Sequence, residues 1–278
     1  MNTKNVALLA MAVLLLLGLG YTTYLRFSEV ENQREEEAAA ATENLAPIGT
    51  PVPTPTQTPV PTPSPTPAAP PTPTPEPTPE LPDVDISSWE LCLVNTERPL
   101  TGDHIPTIVE LEGRQYFDER AADALRAFVA GARAEGLNVI ITSSYRPHAT
   151  QEYLFNNKLQ EQRNAGLAED AAYAAAARIV AIPGTSEHQL GLAADIVDQY
   201  YQYMNESLAA TELSKWMKEH SAEYGFILRF PEDKQDITKI MFEPWHYRYV
   251  GVEAATYIME HGLCLEEFVA LYEVRDAG

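Results

Sequence analysis

Cysteine is nearly absent from this sequence, which has only Cys92 and Cys264 among its 278 residues. Two thiols so far apart in the chain are too few for a zinc site made of thiolates or for a domain held together by many disulfides. One structural disulfide between them and two buried free thiols are both compatible with the sequence. The pairing of the two cysteines therefore stays open at this point.

Basic residues are also scarce, since 19 Lys and Arg stand against 40 Asp and Glu. From residue 83 onwards the chain holds 32 acidic and 16 basic side chains, a net charge of −16, and no stripe of basic residues. Such a surface repels a phosphate backbone. We therefore expect no nucleic acid among the partners of this protein.

Proline is scarce everywhere except in one segment, because 16 of the 22 prolines lie in residues 47–82. Closely spaced prolines fix φ and remove amide donors, so this tract predicts a disordered, extended spacer, on the order of 110 Å long at full extension. A proline-rich ligand for a cytosolic partner is the weaker alternative. We therefore divide the chain into a polar, proline- and threonine-rich linker at residues 29–82 and one folded domain at residues 83–278.

The chain begins with an apolar run, since residues 6–25 carry no charge. Twenty residues of helix span roughly 30 Å, the thickness of the hydrocarbon layer of a bilayer. The run is longer than the apolar core of a cleaved signal peptide and is not followed by a good cleavage site. Residues 1–28 therefore predict an uncleaved signal anchor, a transmembrane helix with the folded domain on the extracellular side. A cleaved signal peptide is the weaker alternative.

Apolar periodicity in residues 83–278 predicts a mixture of helices and short strands. The predicted helices are residues 118–136, 148–163, 168–182, 207–220, 253–261 and 265–272. The predicted strands are residues 89–94, 139–142, 192–197 and 237–242. Because there is no regular β-α-β alternation and no internal repeat, the pattern indicates an α+β fold.

Two short segments carry residues of the types that bind zinc. His188 and Asp195 lie on either side of Gly191, and Glu243 precedes His246 by three residues. Three protein ligands and one open position are typical of catalytic zinc, and a nearby carboxylate can move the proton of the metal-bound water. Each pair alone is a weak signal, since a histidine is usually a core or surface residue. Calcium fits poorly because histidine is a poor calcium ligand.

A third segment, residues 143–147, places Arg146 between a predicted buried strand and a proline turn. A guanidinium held there can bind a carbonyl oxygen or a carboxylate of a substrate. The alternative is a salt bridge with one of the acidic residues of the domain.

Together the three segments resemble the VanY-type D-alanyl-D-alanine carboxypeptidases, which are zinc peptidases of the LAS family (lysostaphin, D-Ala-D-Ala metallopeptidases, sonic hedgehog-like). The Ser-x-His-x-x-Gly-x-Ala-x-Asp signature of the family is matched at every fixed position by Ser186, His188, Gly191, Ala193 and Asp195. Its second signature is matched by Glu243, Trp245 and His246. Its Ser-x-Tyr-Arg element is matched by Ser143, Tyr145 and Arg146, with Gln151 following.

The resemblance implies a small central antiparallel sheet flanked by helices, as in hedgehog and D-Ala-D-Ala peptidases. It implies one zinc ion per chain, with His188, Asp195 and His246 as ligands. Glu243 is then the general base and acid, and Arg146 polarises the scissile carbonyl or holds the terminal carboxylate. The residues expected to contact substrate are Ser186, Gln151, Tyr145 and Trp245.

The activity implied is removal of the terminal D-alanine from peptidoglycan stem peptides by a monomeric enzyme at a bacterial cell membrane. An L,D-carboxypeptidase, an endopeptidase and a non-catalytic module that binds the cell wall are the alternatives. The first two share all the motifs, and the third gives no reason for Glu243. Two residues depart from the family pattern: Lys239 stands where a small residue, often glycine, is expected, and His148 stands where a small polar residue is commoner. Both bear on substrate preference.

Overall fold

The computed structural model describes residues 81–100 and 104–277, which make up most of the predicted folded domain. The predicted signal anchor, and the linker up to residue 80, lie outside the described residues. Within the described ranges, no helix combines the length and the hydropathy needed to cross a membrane.

The centre of the domain is a four-stranded antiparallel sheet. Its strands are β3 (Val139–Ser143), β4 (Ala193–Asp198), β5 (Phe226–Leu228) and β6 (His246–Tyr249), in the spatial order β3-β4-β6-β5. A separate two-stranded antiparallel sheet consists of β1 (Ile108–Glu110) and β2 (Tyr116–Asp118). The prediction of an α+β fold with a small antiparallel sheet is confirmed.

Seven α-helices accompany these sheets in the described part of the chain. They are α1 (Ala122–Ala134), α2 (His148–Asn164), α3 (Glu169–Ile179), α4 (Glu212–His220), α5 (Gln235–Thr238), α6 (Val252–Glu260) and α7 (Leu265–Ala277). Short 3₁₀ turns join them, among them Trp89–Leu91, Glu187–Leu190 and Glu206–Ala210.

Side-chain alternation along the strands separates the core from the site. On β4, Ala194 and Ile196 belong to the main hydrophobic core, and Tyr247 on β6 joins them. Because successive side chains of a strand point to opposite faces, Asp195 and His246 lie on the other face of the sheet. The core face is thus occupied by apolar packing, and the opposite face is available for polar chemistry.

Helix α1 covers the core face of the sheet. Its central residue Phe128 is fully buried and stacks on Phe226 with 5.2 Å between ring centroids. The edge of Tyr247 contacts the same ring, with 5.5 Å between centroids. Burial of one such aromatic side chain stabilises the fold by about 1.5–3 kcal/mol. A second core, on α6 and α7, includes the buried Ile227 of β5.

Two of the predicted strands are wrong. Residues 89–94 begin with the 3₁₀ turn Trp89–Leu91, and two carbonyls of this segment, those of Glu90 and Cys92, accept hydrogen bonds from the Arg248 side chain at 2.8 and 3.0 Å. Residues 237–242 contain the end of α5, which stops at Lys239 with φ +64. That left-handed conformation favours glycine, which gives a physical reason to expect a small residue, often glycine, at this position.

The two cysteines are both free thiols, with Cys92 exposed and Cys264 buried. The structure therefore agrees with the free-thiol alternative and not with a disulfide, although only one of the two thiols is buried. Burial raises the pKa of the Cys264 thiol to about 12.

Candidate zinc site and active-site cleft

Strand pairing brings two of the predicted ligands together. Asp195 of β4 is the direct partner of His246 of β6, and side chains at paired positions lie next to each other on one face. On its other side Asp195 pairs with Ser143, beside an irregularity of register between Ile141 and Ser143. Bulges of this kind are frequent next to active sites because they redirect a side chain.

The third predicted ligand, His188, comes from the 3₁₀ turn Glu187–Leu190. This turn ends at Gly191, whose φ of +72 lies in the left-handed region. A Cβ atom at Gly191 would also lie 3.1 Å from the amide nitrogen of Asp118, which donates a hydrogen bond of 2.9 Å to the Gly191 carbonyl. The glycine of the signature is therefore required by both conformation and space.

The three ligand groups lie close enough together to share one zinc ion. Nε2 of His188 lies 3.3 Å from Oδ2 of Asp195, and Nδ1 of His246 lies 3.0 Å from Oδ1 of the same carboxylate. One ligand atom from each of the three residues lies within 4.8 Å of the others, and all three residues are buried. Tetrahedral zinc with bonds of about 2.0–2.1 Å separates its ligand atoms by about 3.3 Å. This donor set and spacing fit the metal.

Hydrogen bonds orient both imidazole rings. Nδ1 of His188 lies 2.7 Å from the main-chain oxygen of Ser144, an acceptor only, so the proton resides on Nδ1 and Nε2 keeps its lone pair. Nε2 of His246 lies 3.4 Å from Oε2 of Glu187, while Nδ1 faces Asp195. Each ring therefore presents one nitrogen to the site and the other to a protein acceptor, as is usual for metal ligands.

The charges in the site shift one another's pKa values. Burial opposes ionisation of Asp195, but the two histidines outweigh it and hold the pKa of Asp195 well below its usual range. Burial opposes protonation of His246, but its hydrogen bonds to Asp195 and Glu187 prevail and raise its pKa to about 9. Burial and the nearby Arg146 cation lower the pKa of His188 to about 4.

Glu243 lies beside the three ligands as a buried carboxyl group. Its Oε2 is 3.7 Å from Nδ1 of His246. Burial raises the pKa of Glu243 to about 8, against the attraction of His246. A carboxyl group that gains and loses its proton near neutral pH has the property that a general acid and base requires.

Arg146 is joined to the His188 turn, since its amide donates a hydrogen bond of 3.0 Å to the His188 carbonyl. The side chain lines the cleft, and no described residue accepts a hydrogen bond from its buried Nε. Burial lowers the pKa of this guanidinium, although Asp195 and Glu243 attract the cation. Arg146 therefore has donor capacity left for a ligand.

The cleft is a cavity of about 700 Å³ that reaches from the zinc site along α2 and α3. This volume lies in the range usual for ligand pockets. Of the residues expected to contact substrate, the cleft is lined by Gln151, Ser186 and Trp245. Gln151 donates from Nε2 to the Ala181 carbonyl at 2.6 Å, and its buried Oε1 has no partner among the described residues.

Tyr145 does not line the cleft; its amide instead donates a hydrogen bond of 2.8 Å to Tyr116 of β2. Of the two departures from the family pattern, Lys239 lines the cleft and His148 does not. Sequence reasoning missed Glu187 and Ser144, the two residues that orient the imidazoles. The only signal in the sequence was that both residues lie inside the matched segments. A motif does not show that Ser144 acts through its main-chain oxygen, nor that the charge of Glu187 is buried.

Comparison with known proteins places these features in a family. The family model described as VanY, D-alanyl-D-alanine carboxypeptidase, matches residues 114–252. A D-alanyl-D-alanine carboxypeptidase of Enterococcus faecalis (strain ATCC 700802 / V583) is 41% identical over 186 residues, which are 66% of this chain and 67% of that protein.

Solved structures agree in fold. A vancomycin resistance D,D-pentapeptidase VanY from a VanB-type cassette, solved as a mutant with Zn(II), is 41% identical at a TM-score of 0.60, over 66% of this chain and 99% of its own. VanYB in complex with D-alanine-D-alanine is 40% identical at a TM-score of 0.61, over 66% and 98%. The LdcB LD-carboxypeptidase is 35% identical at a TM-score of 0.57, over 68% of this chain and 92% of its own. Since the family model spans half of the chain and the site fits zinc, the chain belongs to the VanY family of zinc-dependent D-alanyl-D-alanine carboxypeptidases.

Proposed function

We propose that this protein removes the terminal D-alanine from peptidoglycan stem peptides outside the cell membrane. The observation that carries the proposal is the buried group of His188, Asp195 and His246, with Glu243 beside it, lining a cleft of about 700 Å³. One similar structure contains D-alanine-D-alanine, and another contains zinc.

The three ligands would hold the zinc through Nε2 of His188, a carboxylate oxygen of Asp195 and Nδ1 of His246. When bound, zinc supplies a Lewis acid and lowers the pKa of a coordinated water toward about 7. The carboxylate of Asp195 brings a negative charge to the site, and the two imidazoles bind as neutral rings. With three protein ligands, the zinc would keep an open position for water or substrate.

Glu243 moves the proton in this proposal. Its carboxylate accepts a proton from the attacking water and passes that proton to the amine nitrogen of the departing D-alanine. Burial opposes the negative charge on this carboxylate, which favours its taking up the proton from water. The same group therefore serves first as base and then as acid.

Arg146 and Gln151 bind the peptide. The guanidinium of Arg146 donates to the scissile carbonyl oxygen or to the terminal carboxylate, in line with its free Nε. The unpartnered Oε1 of Gln151 accepts from a peptide N–H. Ser186 and Trp245 complete the wall of the cleft next to the metal, whereas Tyr145 has no place in it.

The same proposal holds that the enzyme is a monomer attached to the membrane of a bacterium by residues 1–28, with residues 29–82 as the spacer. The supporting features are the uncharged run at residues 6–25 and the 16 prolines of residues 47–82. A substrate in the cell wall requires a catalytic domain on the outer side of the membrane, which is the side that the anchor and the spacer favour.

An L,D-carboxypeptidase, acting on tetrapeptide stems, is the second candidate because LdcB is 35% identical and its own chain is covered to 92%. The test is to incubate the zinc-loaded protein with pentapeptide and with tetrapeptide stems and to identify the products by mass spectrometry. Release of D-alanine from the pentapeptide alone supports the D,D activity, and shortening of the tetrapeptide alone supports the L,D activity. If zinc-loaded protein binds both peptides and cleaves neither, the protein is a binding module instead.

A further inference from the structure

A buried charge network surrounds Glu187, the residue that precedes the ligand His188. The Glu187 side chain is buried, and so are both arginines that bind it. Its Oε1 accepts hydrogen bonds from Nε of Arg229 at 2.7 Å and from Nη1 of Arg248 at 2.8 Å. Two charge-assisted bonds to one oxygen fix the position of the carboxylate group.

The remaining donors of the two arginines have other partners. Arg229 donates to both carboxylate oxygens of Glu266 on α7, at 2.8 and 2.7 Å. Arg248 donates to three main-chain oxygens, those of Glu90, Cys92 and Tyr249. Two anions and two cations therefore balance, and the network leaves one atom of Glu187, Oε2, free of arginine contacts.

That free oxygen faces the zinc site. Oε2 of Glu187 lies 3.4 Å from Nε2 of His246, its only polar partner among the described residues. A carboxylate only accepts, so this contact requires the proton of the neutral imidazole to be on Nε2. The lone pair is then on Nδ1, the nitrogen that faces Asp195 at 3.0 Å.

We propose that Glu187 is a positioning residue for zinc: anchored by Arg229 and Arg248, its carboxylate holds the His246 ring with Nδ1 toward the metal. The inference rests on the zinc ligands of the proposed function and adds a residue that acts on them. Removal of such an outer acceptor typically weakens metal binding by about 10- to 100-fold.

A purely structural role is the alternative, in which Glu187 only balances two buried cations. The chain offers a matched control in Glu266, whose carboxylate binds Arg229 in the same network and has no contact with His246. Glu187→Gln and Glu266→Gln each remove one negative charge from the network. Only Glu187→Gln also alters the acceptor of His246. The carboxylate accepts from the two arginines on one oxygen and from His246 on the other, whereas an amide has a single oxygen and cannot accept on both sides.

The experiment measures zinc dissociation constants of the full chain by competition with a chromophoric chelator. We expect Glu187→Gln to bind zinc about 10- to 100-fold more weakly than the unaltered protein and Glu266→Gln to bind close to the unaltered value. Equal affinity in Glu187→Gln and the unaltered protein, or equal losses in both variants, overturns the inference. An unaltered protein that binds no zinc refutes the ligand assignment itself, so the two failures are distinguishable.

A second measurement needs no variant and covers the case in which Glu187→Gln does not fold. Long-range ¹H–¹⁵N spectra of the zinc-loaded protein with labelled histidine report which ring nitrogen carries the proton. We expect one zinc-bound imidazole with its proton on Nδ1, as the Ser144 contact of His188 requires, and one with its proton on Nε2. Two zinc-bound rings with their protons on Nδ1 would overturn the role of Glu187.

Discussion

Replacement of Glu243 by glutamine separates proton transfer from metal binding. Glutamine has nearly the same shape as glutamate but does not exchange a proton near neutral pH. Oε2 of Glu243 lies 3.7 Å from Nδ1 of His246, too far for a hydrogen bond, so Glu243 does not hold this ligand in place. We therefore expect the Glu243→Gln protein to contain as much zinc as the unaltered protein.

The size of the catalytic loss follows from the role of the buried carboxyl. Burial raises the pKa of Glu243 to about 8, which suits transfer of a proton in both directions near neutral pH. A positioned acid–base group contributes about 10²- to 10⁴-fold to a rate. Since each factor of ten is about 1.4 kcal/mol, Glu243→Gln should raise the barrier by about 2.7–5.5 kcal/mol.

The assay combines zinc analysis with kcat and KM on a pentapeptide stem. Glu232→Gln, an exposed glutamate in the same connection between β5 and β6, is the control for an unspecific effect of losing a negative charge. We expect kcat to fall in Glu243→Gln alone, with zinc content unchanged. Turnover equal to that of the unaltered protein would refute the acid–base role, and loss of zinc would show that Glu243 supports the metal.

Three further predictions concern the metal, the thiols and Lys239. The pKa of His246 is about 9 in the metal-free protein, so zinc binding between about pH 5 and 8 must displace a proton from this ring. The affinity for zinc should therefore rise at least tenfold per pH unit in this range. Calorimetry in two buffers with different ionisation enthalpies measures the number of protons released, and a value of zero would contradict the prediction. A thiol reagent should titrate the exposed Cys92 alone in the folded protein and both cysteines after unfolding, whereas a disulfide gives none. Lys239→Gly should raise the free energy of unfolding, measured in urea, by about 0.5–1 kcal/mol. The reason is that removal of the backbone strain at a positive φ outweighs the extra conformational entropy that glycine gives the unfolded chain. A lower free energy of unfolding would argue against strain at this position.

The longer elements of the fold could be predicted because their patterns repeat several times. The helices α1, α2 and α3 and the strands β3 and β4 lie where apolar periodicity puts them, with ends that differ by a few residues. Strands β1, β2, β5 and β6 have only three or four residues, too few for an alternation to be recognised. The predicted helix at 207–220 divides at Thr211, which caps α4 by accepting a hydrogen bond from the Ser214 amide at 3.1 Å.

The site could be predicted as a set of residue types but not as an arrangement. The motifs selected the residues that the structure brings together around Asp195, because their spacing follows from the 3₁₀ turn and from the pairing of β4 with β6. Tyr145 is not among the residues that line the cleft, and no motif records which way a side chain at this position points. Glu187 could not be distinguished from a solvated charge, since its burial depends on two arginines 42 and 61 residues away.

The Glu187 network also explains why the folded domain extends beyond the family segment. The family model matches residues 114–252, yet Arg248 requires the carbonyls of Glu90 and Cys92, and Arg229 requires Glu266. A buried guanidinium left without its partners destabilises a protein by several kcal/mol. The segment before residue 114 therefore supplies main-chain acceptors for Arg248, and the segment after residue 252 supplies the carboxylate that neutralises Arg229. These are the two arginines that hold Glu187. Through Glu187, both ends of the domain contribute to the orientation of His246.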